Sequence, residues 1–249
     1  MLRTAICVAA LTASLSAQSV IPAKAGLVSY AGEAYIDGQQ VEVSSAHFIA
    51  MNDNAMLRTG WGRAEVLLGP CSAMWVEEQS ALRMVSSALS DVRLIVLRGS
   101  VIIATGEMMK GTKVTVLLTA AVAPIEAKGA YRFDSEPARI KVLSGKPTAI
   151  QWENRVIPLN TGRLLVLDAG AEPAKFDRRN SDTFENWSIG RAEYLEDLSG
   201  RQTREGRGPG PPGDIVMRTA PNVGGPGPIQ TVPQPVTVPP AAACSVSGW

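Results

Sequence analysis

The chain has 249 residues, enough for one large domain or two small ones around a substantial core. Hydrophobic residues make up 45% of it but aromatic residues only 5%, so a core must rest on Val, Leu, Ile, Ala and Met, a composition that suits β-sheets. Lys and Arg number 24 against 23 Asp and Glu, which leaves no long-range field to attract nucleic acid or an anionic membrane surface.

The first residues have the layout of a secretory signal, with Arg3 as the positive region, an apolar run over 5–15 and small residues after it. Cleavage is expected after Ala17, giving a signal over 1–17, or alternatively after Ala25, where Ala-Lys-Ala-Gly fits the small-x-small rule better. A membrane span takes about twenty apolar residues. The run over 5–15 is shorter and broken by Ser and Thr, and 114–123 is shorter still, so no transmembrane segment is expected in the mature chain. The mature protein is expected in the periplasm or outside the cell. Cys7 falls in the signal, which leaves Cys71 and Cys244 able to pair in an oxidising compartment.

Over 26–41 the pattern predicts a strand and a tight hairpin with Asp37-Gly38 at its turn. The stretch 44–54 is polar and irregular. Next come the end of a strand at Leu57-Arg58-Thr59, a turn using Gly60 and Gly62, and a strand from Arg63. Arg63, Glu65 and Leu67 share one face of that strand; Ala64, Val66 and Leu68 share the other. After a Gly69-Pro70 turn, period-two alternation continues through Met74, Val76, Leu82 and Met84. Further strands are predicted over 91–97, 101–103, 113–118, 121–125, 130–133, 140–143, 149–152, 156–159 and 164–167. The links between them are turns, not helix-length segments, which excludes a βαβ architecture and predicts one all-β domain over 26–168. Its many short strands suit a β-solenoid-like or sandwich arrangement.

From Asn180 the period changes. Asp182 and Glu185 resemble a capping pair, and Phe184, Trp187, Arg191, Leu195 and Leu198 follow at spacings of three and four. One short helix is predicted over 180–199, stopping at Gly200, with Phe184, Trp187, Leu195 and Leu198 docked on the sheet. Ten of the 17 prolines lie between Pro209 and Pro240, so 201–249 reads as a disordered Pro/Gly-rich tail.

The run Leu57-Arg-Thr-Gly-Trp-Gly-Arg-Ala-Glu-Val-Leu-Leu68, with its Thr-Gly, short turn and Arg-Ala-Glu-apolar strand, resembles the central signature of FecR-like domains. The glycines at 26, 32 and 38, Arg98-Gly99-Ser100, 129–134, 142–145 and 159–162 resemble further steps of that family, as does the Phe184, Trp187, Arg191 spacing after the domain. Gln-Ser-Val-Ile at 18–21 resembles the start of the mature part in such proteins, which favours cleavage after Ala17. The resemblance covers about 18–198. It implies two β layers and a non-enzymatic extracytoplasmic module that binds or scaffolds another envelope component, protein or glycan, in sensing or signalling. The best-known members carry a signal from an outer-membrane transporter to a membrane-bound anti-sigma region. This sequence shows no span or anti-sigma segment ahead of the β domain, so a stand-alone exported module is expected.

Few residues point to chemistry. His47 is the sole histidine and has no Gly-x-Ser-x-Gly partner motif, so neither it nor Cys71 reads as catalytic. No Cys-x-x-Cys, His-x-x-x-His or Asp-rich calcium loop occurs. Glu77 and Glu78 would face opposite sides of a strand. Gly208 to Gly213 matches Gly-x-Gly-x-x-Gly, but three prolines and the absence of a flanking strand exclude a nucleotide loop. No catalytic, cofactor-binding or metal residue, no cofactor and no nucleic-acid partner is therefore assigned. Arg63 with Glu65 reads as a cross-strand charge pair or solvated face, and Trp61 as either a partner anchor or a ring folded back over the sheet edge. The alternative function is a cell-envelope enzyme acting on glycan through convergent carboxylates.

Overall fold

The computed structural model describes residues 24–43, 48–69, 71–108 and 111–205. The expected signal, residues 44–47 with His47, Pro70, residues 206–249, and Cys7 and Cys244 lie outside the described residues.

In chain order the strands are β1 (Leu27–Ala31), β2 (Ala34–Ile36), β3 (Gln39–Gln40), β4 (Ile49–Ala50), β5 (Met56–Thr59), β6 (Ala64–Gly69), β7 (Ser72–Val76), β8 (Ala81–Ala88) and β9 (Asp91–Arg98). They continue as β10 (Ser100–Thr105), β11 (Val114–Leu118), β12 (Ala121–Ile125), β13 (Gly129–Ser135), β14 (Ala138–Gly145), β15 (Thr148–Trp152), β16 (Arg155–Leu159), β17 (Arg163–Val166) and β18 (Ala174–Lys175), and end on helix α1 (Thr183–Glu205). The strands form two sheets ordered β18-β17-β14-β13-β10-β7-β6-β1-β4 and β16-β15-β12-β11-β9-β8-β5-β2-β3. We call them the helix-side sheet and the open sheet.

The two sheets face each other across one apolar core. Val66, Met74, Ile103, Phe133 and Val142 of the helix-side sheet meet Leu57, Leu82, Leu94, Val116 and Ile150 of the open sheet. This is a β-sandwich, and it corrects the solenoid-like alternative. A solenoid stacks each coil in parallel on the next, whereas here only β9 and β11 pair in parallel among the described strands. Hairpin links account for the rest, because a short turn returns the chain antiparallel beside itself. At the β2-β3 turn Asp37 and Gly38 both have positive φ, as a type I′ turn requires, and the Asp37 carboxylate accepts from the Met56 amide at 2.9 Å. Pro124 lies within β12, yet β12 and β15 pair only at Ala121 and Val122, so the missing N–H breaks no ladder bond.

The helix-side sheet is buried on both faces. Along β7, Met74 and Val76 enter the inter-sheet core, while Ala73 and Trp75 enter a second cluster with Ile102, Ala104, Ala130 and Leu143. Phe184 and Ala192 of α1 are buried in that second cluster, with Trp187 and Leu195 packed on it. So α1 is a third layer. Asp182 caps it, its Oδ1 accepting from the amides of Phe184 (3.1 Å) and Glu185 (2.9 Å). The helix does not stop at Gly200 but runs through it to Glu205. A glycine ends a helix only where the chain turns left-handed beyond it, and inside a helix it costs only about 1 kcal/mol. The strands β4 and β18, of two residues each, had no sequence signal.

Gly145 has φ +84°, and a Cβ there would lie 2.2 Å from the Cα of Gly129 on the paired strand. Gly38 has the same φ, with nothing within 4 Å of such a Cβ. Gly38→Ala is expected to cost about 1 kcal/mol from backbone strain alone, and Gly145→Ala at least about 3 kcal/mol because β13 and β14 must also separate. Urea denaturation midpoints of the two variants would check the difference.

Candidate functional site

The polar residues that the fold gathers lie between α1 and the helix-side sheet. Because Val66 and Leu68 face the inter-sheet core, the period of two turns Glu65 toward the helix. Glu65 is fully buried, at 0% exposure. Its carboxylate accepts from Ser29 Oγ (2.6 Å), Trp75 Nε1 (3.0 Å) and both Nε (2.9 Å) and Nη2 (3.0 Å) of Arg191. The bidentate pairing offsets the cost of burying the charge, and the two neutral donors occupy remaining lone pairs.

A second cluster centres on Arg132 of β13. Its Nε donates to Asp134 Oδ1 at 2.7 Å, and its Nη1 donates to Glu185 Oε1 at 2.9 Å and also to Asp182 Oδ2. Lys141 Nζ donates to the same Glu185 oxygen at 3.0 Å, and Arg139 Nε to Asp134 Oδ2 at 2.6 Å. Ser100 Oγ donates to Asp134 Oδ1 at 2.7 Å. Glu185 thus leaves the local capping role that the sequence suggested and reaches across to the sheet.

Aromatic rings join the two clusters. The Arg63 guanidinium lies 5.2 Å from the Trp187 ring centre and 5.7 Å from that of Phe184, and Arg191 lies 5.1 Å from Tyr30 and 4.8 Å from Tyr194. Arg63 and Glu65, expected as a pair or a solvated face, instead each hold a different part of α1.

The burial of Asp134 pushes its carboxyl up, but Arg132, Arg139 and Ser100 outweigh this and hold it below its ordinary range. Asp182 is likewise pushed up by burial and held down overall by the Glu185 amide and Arg132. Burial raises the half-buried Glu77 despite Ser100 and Arg132 nearby, while Glu78 is exposed. Both follow the end of β7, so their separation comes from a turn and not from strand alternation. Asp134, Asp182 and Glu185 are the carboxylates that converge here, and each is bound to at least one cation.

Trp61 is 78% exposed at the β5-β6 turn, which decides between its two readings in favour of the outward ring. Glu33 fixes that turn by accepting from the Trp61 amide at 2.9 Å and from the Tyr35 hydroxyl at 3.0 Å. Cys71 is disulfide-bonded. It lines a cavity of about 40 Å³ with Leu68, Leu89, Val92, Met108 and Val114, far below the roughly 300 Å³ at which small-molecule sites begin. Among the described residues no group of His, Cys, Asp and Glu is placed to hold a metal ion, and no helix is long and apolar enough to cross a membrane.

Sequence reasoning did not find the Glu65 to Arg191 pair, whose members lie 126 residues apart. A signal was present in Arg132 and Asp134, two charges on one face of an otherwise apolar strand, and in Arg191, on the same helical stripe as Phe184 and Trp187.

No family model and no curated protein matches the chain. Two crystal structures of a candidate anti-sigma factor from Parabacteroides distasonis ATCC 8503 are similar to it, at 12% and 11% identity, each with a TM-score of 0.40. Each match covers 48% of this chain and 57% of the other, so this chain spans little more than half the length of those proteins.

Arg191→Ala would leave Glu65 buried with only neutral donors and is expected to destabilise the docked helix by about 3 kcal/mol, measured by denaturation and by amide exchange over 183–197. Glu65→Leu combined with Arg191→Met is expected to recover most of that loss. A carboxyl lowered by folding contributes stability that is full above its unfolded value, near 4, and is lost as pH falls through the folded value. Asp134 and Asp182 both belong to this class. As pH drops below about 4, α1 is therefore expected to lose exchange protection before the inter-sheet strands do.

Proposed function

We propose that this chain is a non-enzymatic, exported FecR-like module that binds another component of the cell envelope, protein or glycan, in envelope sensing or signalling. The observation that carries this reading is the use made of the convergent charged groups. Asp134, Asp182, Glu185 and Glu65 are each bound to cations that fasten α1, so these four carboxylates are spent on structure; Glu77 beside them is raised by burial and makes no ion pair among the described residues. General acid or base work needs a carboxyl within reach of a substrate proton, and Asp134 and Asp182, both held below their ordinary range, are poor proton carriers near neutral pH. What the surface offers instead is an exposed indole on a glycine-flanked turn braced by Glu33, a residue type that anchors protein and glycan partners. Export is read from the Arg3 and apolar-run pattern, and membership of the family from the order of motifs over 18–198.

The test is cross-linking in intact cells with the full chain as bait, followed by mass spectrometry. A dominant envelope component is expected, with N-terminal sequencing of the recovered protein starting at Gln18. Recovery of no envelope component by a purified mature protein that turns over an envelope glycan would overturn the reading. Trp61→Ala is expected to weaken association about tenfold or more while leaving the melting temperature unchanged, because an exposed ring contributes little to folding and much to an interface.

A further inference from the structure

The two outer faces of the sandwich are treated differently. The helix-side sheet meets α1, whereas the outward residues of the open sheet, such as Arg83, Ile95, Leu117, Val122 and Val156, are all at least partly exposed among the described residues. That uncovered face is not an ordinary polar sheet surface. Strand register aligns Arg83 with Ile95, Ile95 with Leu117, Leu117 with Val122, Val122 with Gln151 and Gln151 with Val156. The row crosses six strands, or about 24 Å at the usual strand spacing. Its apolar members lie toward the β16 end.

The other end is basic. Arg58 of β5 and Arg98 of β9 stand on either side of Ala81, and Arg83 lies two residues along β8 from Ala81. All three are exposed, and among the described residues none is within ion-pair distance of a carboxylate. The next cations on this side, Arg93 and Lys113, share Asp91. The molecule itself shows how a sheet face with an apolar row and arginines is covered: α1 lays Phe184, Trp187 and Leu195 on such a face and sends Asp182 and Glu185 to its cations.

Resting on the binding reading above, we infer that the outer face of the open sheet is the docking surface, and that its occupant is an acidic amphipathic segment of another envelope protein. The segment has apolar residues along its length and carboxylates at the end that lies over Arg58, Arg83 and Arg98. Two strand spacings separate Arg58 from Arg98, about 10 Å, which matches carboxylates about seven residues apart on a helix. A lipid surface fits this face less well, because of the row's apolar members only Val156 is largely exposed, while Ile95, Leu117 and Val122 lie half-buried in the sheet. A second copy fits less well too, since a two-fold contact would lay each arginine end either on an apolar end or on the arginines of the other copy.

The experiment places a benzophenone amino acid at position 117 of the full chain in intact cells, with the same group at position 61 as a second probe. Cross-linked peptides are mapped with and without Arg58→Glu, Arg83→Glu and Arg98→Glu together, and with Arg83→Gln alone, each variant checked for an unchanged melting temperature. The expected result is one protein segment captured at 117, with Asp or Glu clustered at one end of an apolar stripe. Its yield should fall at least about tenfold on charge reversal and less on Arg83→Gln. Capture of lipid or of a second copy at 117, or a yield indifferent to charge reversal, overturns the inference. Capture at 61 but none at 117 overturns this surface and leaves the binding function standing, whereas capture at neither position overturns both.

Discussion

The burial of the Glu65 carboxylate is the constraint on which the third layer depends. An ion of that size taken out of water costs several kcal/mol unless its charge and lone pairs are matched. The match is assembled from Ser29 on β1, Trp75 on β7 and the fork of Arg191 on α1, elements that no local sequence rule brings together. Once the strand period turns Glu65 away from the inter-sheet core, the helix must be present for the sheet to be satisfied. The docking of α1 is therefore part of the fold and not an accessory to it.

The consequence is a middle sheet with two dry faces of different character. Toward the open sheet it presents aliphatic side chains with two rings, Tyr131 and Phe133, and apart from the Tyr131 hydroxyl, which donates to the Lys146 carbonyl at 2.9 Å, these pack without directional demands. Toward α1 it presents a mixed surface, in which Trp75, Ile102 and Leu143 supply apolar area and Glu65, Arg132 and Asp134 supply charges that admit only one placement of the helix. Apolar burial provides most of the attraction. The charges select the register, since a helix shifted by one turn would take Arg191 from Glu65 and leave Arg132 with Asp134 alone.

Such an arrangement separates structural charge from surface charge. The buried guanidiniums and carboxylates are consumed inside the α1 interface, whereas Arg58, Arg83 and Arg98, on the opposite side of the sandwich, make no ion pair among the described residues. The exposed arginines thus take no part in the charge pairs that hold α1 to the sheet. The rim turn carrying Trp61 follows the same logic, because Glu33 holds the backbone of the turn while the indole stays in solvent.

The all-β class, the strand positions, the Asp37-Gly38 hairpin and the start of the helix at Asp182 were legible in the chain, because period-two alternation, Asp-Gly turns and helix caps are local properties of a few consecutive residues. The same alternation divided 63–68 between two faces, though not what each face would meet. Tertiary structure alone decided that the strands form a sandwich and not a solenoid, since pairing partners are set by which distant edges meet. It also carried the helix through Gly200 and paired β4 and β18, because partners elsewhere in the fold can outweigh weak local signals. Above all it decided the fate of Glu65 and Arg132. A charged residue on a strand reads as solvated until something covers it, and what covers these two lies more than 50 residues further along the chain, beyond the reach of any periodicity.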